Sequence, residues 1–111
     1  MTSEQNRFKV FKNRADLKLA FKTKSIRQVR LGDKKFCIAH QGSEYFAFEA
    51  LCPHQKQPLV SATMNHFGEI ICPLHFYRFN LKTGQEASRL CNDLAIFPLE
   101  YSDDGIFVKL Y

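Results

Sequence analysis

Twice in this chain an apolar, strand-like run stops at a Cys-Pro pair, and a histidine follows two or three residues after the cysteine. The first segment is Cys52-Pro53-His54 and the second is Cys72-Pro73-Leu74-His75, with 17 residues between His54 and Cys72. Each segment contributes one thiol and one imidazole, both good donors to soft and borderline metals. Pro53 and Pro73 stiffen the turns and offer no N–H of their own. From Cys52 to about Gln57, and again from Cys72 to Phe76, strand alternation gives way to these residues. Two irregular loops with metal-type side chains, each following an apolar strand, are the natural place for a site.

The remainder reads as that framework. Ile106, Val108 and Leu110 alternate with Phe107, Lys109 and Tyr111, the period-2 pattern of a half-buried strand. Phe97, Leu99 and Tyr101 alternate likewise, and Ser102-Asp103-Asp104-Gly105 between the two runs suits a hairpin turn through its Asp-Gly pair. A second hairpin is expected from Ile26–Leu31 through Gly32-Asp33 to Lys35–His40, and Gln41-Gly42-Ser43 then turns the chain into Glu44–Ala50. Regular turns between short strands indicate an all-β, antiparallel sandwich or barrel. Ala15–Lys22 fits a short helix or an irregular connection. At 111 residues the chain is expected to form a single domain, 1–111, large enough to bury a core without help from metal. Hydrophobic residues make up 45% and charged residues 24%, which excludes a disordered chain. No run approaches the ~18 apolar residues of a membrane span, so no membrane partner is expected. The opening Met1–Asn6 lacks the apolar stretch of a secretion signal, so a cytoplasmic location is expected.

Four cysteines are present, Cys37, Cys52, Cys72 and Cys91, and without a secretion signal they suit metal or redox roles better than a disulfide framework. A structural zinc ion accepts two cysteines and two histidines, so zinc is the main alternative metal. Zinc fingers pair like with like, whereas each segment here is mixed, which weighs against zinc. Cys37 lies in the apolar run Phe36–Ala39 and reads as core, and Cys91 as a free thiol near a loop. A bridge between those two stays open until distances are known. His40 and His66 have no ligand-like company and read as surface or satisfied core residues.

The two segments resemble the Rieske family, whose motif is Cys-x-His, a spacer of comparable length, then Cys-x-x-His. Cys52, His54, Cys72 and His75 match it position by position. Pro58-Leu59, Ile70-Ile71, Phe79 and Leu81-Lys82-Thr83-Gly84 also match the style of Rieske ferredoxins, so the resemblance covers residues 44–87 well. It implies a Rieske-like antiparallel sandwich or barrel with a small cluster-binding subdomain, about residues 50–87, formed by two loops. It also implies one [2Fe–2S] cluster per chain, with Cys52 and Cys72 on one iron and His54 and His75 on the other. Neutral imidazoles favour the ferrous state, so an added electron is expected on the histidine-bound iron.

The sequence departs from the family pattern in two ways. High-potential Rieske proteins carry an extra cysteine in each loop, joined as a disulfide; here those positions are Gln57 and Leu74. A serine and a tyrosine that donate to the cluster region in those proteins correspond to Tyr77 and Phe79. Fewer donors leave sulfur charge less stabilised, so a low-potential centre is expected. Most relatives also carry glycine at the positions of Lys56 and Phe76. Either these loops use negative φ or they tolerate strain, and Phe76 is either packed inward or part of a partner-specific face.

The net charge of +5 is unevenly spread: residues 1–35 carry 11 basic and three acidic side chains, and residues 36–111 carry five basic and eight acidic ones. No nucleic-acid motif accompanies the basic third, so a solvated face is expected rather than a nucleic-acid site. Between Cys52 and Glu86, Lys56, Arg78 and Lys82 face Glu69 and Glu86, which predicts a nearly uncharged docking end. No nucleotide-binding fingerprint or mononuclear-iron constellation is found, so the chain is expected to carry single electrons and not to be an enzyme itself. By resemblance it would take electrons from a reductase and pass them to a terminal oxygenase, as a monomer or in a transient complex. The alternatives are a small Rieske subunit of an assimilatory nitrite reductase and a non-catalytic, metal-stabilised interaction module.

Overall fold

The computed structural model describes residues 7–110, so Met1–Asn6 and the last position of the terminal alternation, Tyr111, lie outside the described residues. β1 (Arg7–Phe11) and the helix α1 (Arg14–Ala20) lead into β2 (Ile26–Leu31), β3 (Lys34–Gln41) and β4 (Glu44–Glu49). A short 3-10 turn at Leu59–Ser61 follows, then three short strands, β5 (Thr63–Met64), β6 (Glu69–Ile71) and β7 (Arg78–Asn80). The chain closes with β8 (Ile96–Phe97), β9 (Leu99–Ser102) and β10 (Gly105–Lys109). All pairings between named strands are antiparallel, in sheets ordered β1-β10-β9, β2-β3-β4-β8 and β5-β6-β7. The expected all-β antiparallel architecture is the one observed.

The hairpins fall where turn residues dictate. β2 pairs with β3 from Ile26↔Ala39 to Leu31↔Lys34 across Gly32-Asp33, and β3 pairs with β4 from Phe36↔Glu49 to Gln41↔Glu44 across Gly42-Ser43. The last hairpin differs in detail from its sequence reading. Asp103-Asp104 make the turn, and Gly105 is already paired with Ser102. Gly105 has φ +143°, and a Cβ there would lie 2.8 Å from the Phe11 carbonyl oxygen. Close approach of β1, not the turn, therefore demands glycine. The helix left open in the sequence forms because Asn13 caps it: its side-chain oxygen accepts from the Asp16 N–H at 2.8 Å. α1 buries Leu17 against the framework.

Two cores meet at the central sheet. Phe36, Ile38 and Ala47 pack with Leu17, Phe21, Ile106, Val108 and Leu110 on one side. Cys37, Ala39 and Phe48 pack on the other with Leu59, Ile70, Phe79, Leu81 and the two motif cysteines. Neighbouring residues of one strand point to opposite faces, so the apolar run Phe36–Ala39 feeds both cores. Burial pushes the Cys37 thiol up to about 11, against a small opposing pull from Lys35, consistent with an inert core cysteine.

Candidate metal centre

Both motif segments fold into the same backbone turn. In the first, the Lys56 N–H donates to the Cys52 carbonyl at 2.8 Å and the Cys52 N–H to the Gln57 carbonyl at 2.8 Å. In the second, the Phe76 N–H donates to Cys72 at 2.9 Å and the Cys72 N–H to Tyr77 at 2.9 Å. In each, the residue four after the cysteine adopts the left-handed conformation, with φ 60° at Lys56 and 63° at Phe76. The loops thus keep the geometry glycine favours, at about 1 kcal/mol of strain for each side chain. Phe76 is 71% exposed, which overturns the inward-packed reading.

These turns sort the four donors by environment. Cys52 and Cys72 are 0% and 1% exposed, whereas His54 is half-buried and His75 exposed. Burial pushes the Cys52 thiol up to about 11; backbone N–H groups of His54 and Gln55 pull it down, and its neighbour Cys72 pushes it up. As a free thiol it keeps its proton at neutral pH, so metal binding must displace that proton. The same two N–H groups would then donate to the thiolate.

The imidazoles face one another, with His54 Nδ1 and His75 Nδ1 3.5 Å apart and ring planes at 69°. Two nitrogens each about 2.1 Å from one tetrahedral metal lie about 3.4 Å apart, so this pair fits a shared metal. Among the described residues, no three His, Cys, Asp or Glu side chains converge around a single-ion position. A buried thiol pair and a separate imidazole pair suit a bridged two-iron group, one pair to each iron, and argue against one zinc ion held by all four. Tyr77 lays its ring 4.4 Å from that of His54, and Phe79 is buried in the core beneath. All four cysteines are free, so Cys37 and Cys91 are not bridged.

A third segment, residues 86–91, completes this end; from the sequence only Glu86, as one charge in a balance, and Cys91, as a free thiol, stood out in it. Glu86 is paired with Phe79, and Ala87 donates to the Arg78 carbonyl at 2.9 Å. The Glu86 carboxylate is 1% exposed and accepts from the backbone N–H groups of Ser88, Leu90 and Cys91 and from the Ser88 hydroxyl. Burial alone would raise its pKa, but these donors prevail and hold it at about 2. The segment holds Leu90, 76% exposed, in the same cleft as His75 and Phe76. Glu86 is buried yet ionised, so its charge still counts in the balance at this end.

Known proteins resemble this chain in sequence and in fold. The Rieske [2Fe-2S] domain family matches residues 8–98. The ferredoxin CarAc of Metapseudomonas resinovorans is 32% identical over 87 residues, covering 76% of this chain and 79% of that protein. The nitrite reductase [NAD(P)H] of Emericella nidulans is 32% identical over 92 residues, covering 74% of this chain but only 8% of that much longer protein. Among solved structures, a chain in the complex of reduced oxygenase and oxidized ferredoxin in carbazole 1,9a-dioxygenase superposes with a TM-score of 0.74. The two are 28% identical, with 95% of this chain and 94% of that one covered.

Proposed function

This chain belongs to the Rieske [2Fe-2S] domain family and carries one such cluster, and from that premise we propose that Cys52 and Cys72 hold one iron and His54 and His75 the other. When bound, the cluster supplies a site that accepts and releases one electron. The protein's own residues set the conditions for that exchange. The cysteine pair is sealed in the core, so water is kept from the sulfur side. His75 is exposed and His54 half-exposed, so this side is where a partner comes within reach. Tyr77 backs the His54 ring, and Phe79 presents no hydroxyl. The loops carry no disulfide clamp. A midpoint close to about −150 mV, the low end of the Rieske range, is therefore expected rather than one near about +300 mV.

The chain is an electron-transfer component and not itself a catalyst. In our reading it takes electrons from a reductase in the cytoplasm, as a monomer, and delivers them to a terminal oxygenase in a transient complex. The observation that carries this reading is the division of the site into a buried thiol pair and an outward imidazole pair. Likeness to a named ferredoxin and to a structure of an oxygenase–ferredoxin complex supports the choice of acceptor. No helix among the described residues is long and apolar enough to cross a membrane.

The test is reconstitution. Purified protein should show a visible absorption band, two irons per chain, and reversible one-electron reduction. It should also support turnover between a flavin reductase and an oxygenase component. A colourless protein containing zinc would defeat the reading. The likeness to one segment of a nitrite reductase favours a second reading, a subunit of that enzyme type, and stable co-purification with one large partner would select it.

A further inference from the structure

We propose that Glu86 is a fixed internal anion that lowers the midpoint potential of the cluster from the sulfur side of the site. This rests on the reading that Cys52 and Cys72 hold one iron.

The first support is that the charge has no opposite. Glu86 is 1% exposed. Its carboxylate accepts from the Ser88 N–H at 2.8 Å, the Leu90 N–H at 2.8 Å, the Cys91 N–H at 3.4 Å and the Ser88 hydroxyl at 2.7 Å. All of these donors are neutral. Among the described residues, no lysine, arginine or histidine pairs with the group. The donors outweigh burial and keep it ionised. Neutral donors stabilise a carboxylate without removing its charge, so a full negative charge stays inside this end of the protein.

The second support is position. Phe79 pairs with Ile70 on one side and with Glu86 on the other, so the three lie side by side on neighbouring extended segments. Just beyond this row, the Cys72 N–H donates to the Tyr77 carbonyl and the Ala87 N–H to the Arg78 carbonyl, each at 2.9 Å. Two strand spacings, about 10 Å, therefore separate Glu86 from the chain that leads into Cys72. Cys91 spans the gap on the inside. Its N–H faces Glu86, and its side chain packs against the core that holds both motif cysteines. Burial pushes the Cys91 thiol up, and the charge of Glu86 pushes it further, so the field of the carboxylate already acts on sulfur in this environment.

The third support is the contrast with the other charges of this end. Lys56, Arg78, Lys82, Arg89 and Asp93 are all exposed, and Arg78 is paired with Glu69 at 3.2 Å. Water and salt screen such charges over about 8–10 Å, whereas a buried charge is screened much less. At about 10 Å and an effective dielectric constant of about 20, repulsion between Glu86 and one added electron changes the reduction equilibrium about tenfold. The cluster gains an electron on reduction, and no bond is made or broken at Glu86. Its effect adds to that of the missing hydroxyl at Phe79.

The experiment is a mediated redox titration of the cluster-loaded protein and its variants. Glu86→Gln should favour reduction about tenfold, a rise in midpoint of about 59 mV for one electron. Asp93→Asn removes the same charge from an exposed position and should change the equilibrium less than twofold. Glu86→Asp disturbs the same hydrogen bonds but keeps the charge, and should stay close to the wild type. The double variant Glu86→Met/Ser88→Ala replaces the carboxylate and its hydroxyl partner by apolar groups and should match Glu86→Gln. A change below twofold in both neutral variants, or an equal rise in Glu86→Asp, would overturn the inference while leaving the cluster reading intact. Loss of the cluster from both neutral variants would also overturn it, assigning Glu86 to building the site and not to setting its potential. A wild-type protein with no visible band and no reversible reduction would instead remove the cluster reading, and this inference with it.

Discussion

The framework and the histidine end solve the same backbone problem differently. Where the framework needs positive φ it uses glycine, as at Gly32 and Gly42 in the hairpins and at Gly105 against β1. At the histidine end the same conformation is occupied by Lys56, Phe76 and Arg89. At Gly105 a side chain would be an intruder, whereas at Gly32 and Gly42 nothing lies within 4 Å of where a Cβ would stand and glycine serves the turn conformation alone. At the histidine end the conformation serves the turn, while the side chain is free to face a partner. Backbone strain is therefore avoided in one region and carried by side chains in the other.

That contrast can be broken or sharpened by substitution. The largest effect is expected at the cysteines. Cys52→Ala or Cys72→Ala should abolish the cluster outright, read as loss of the visible band and of iron, because each removes half of one buried donor pair. Gly84→Ala should come next. A Cβ at Gly84, which has φ +80°, would lie 2.0 Å from the Leu94 carbonyl oxygen, so a destabilisation of about 3 kcal/mol or more is expected in denaturant titrations. A loss below about 1 kcal/mol would show that the 84–94 contact yields easily.

Glu86→Gln should cost about 1.5–3 kcal/mol, since several backbone N–H groups lose a charged acceptor. The pH dependence has a definite sign. The folded pKa of about 2 is below the ordinary carboxylate value, so this stabilisation is full above about pH 4.5 and fades as pH falls toward 2. The variant should lose that portion of the acid sensitivity. The smallest and most telling effect runs the other way. Phe76→Gly and Lys56→Gly should each raise stability by about 0.5–1 kcal/mol, measured as a higher melting temperature of the cluster-loaded protein. A fall would mean that the left-handed conformation is not what limits stability there.

The sequence reveals much of this arrangement because its signals are local. The hairpins follow from turn residues between alternating runs, and the four ligand candidates from types and spacing that the fold brings together. The helix at Arg14–Ala20 was harder to read, since seven residues carry little periodicity and the deciding feature is one cap, Asn13. The conformation at Lys56 and Phe76 was not legible, because it is imposed by hydrogen bonds to Cys52 and Cys72 rather than by the residues themselves. Glu86 was missed for a related reason. An isolated glutamate reads as a surface charge, and only folding places Ser88, Leu90 and Cys91 around it. Glu86-x-Ser88 two residues after Gly84 was the available clue, a short polar group able to close a turn on a carboxylate.

β3 carries a consequence of a different kind. Phe36 and Ile38 belong to one core and Cys37 and Ala39 to the other, so the strand is a party wall between the redox end and the base. Neither half can open while this wall stands, and removing the wall exposes both at once. The protein should therefore unfold as one cooperative unit, with the amide hydrogens of Cys37–Ala39 exchanging only through global opening. Loss of iron at one end would then be felt as faster exchange at Leu17 and Val108 on the far side of the sheet.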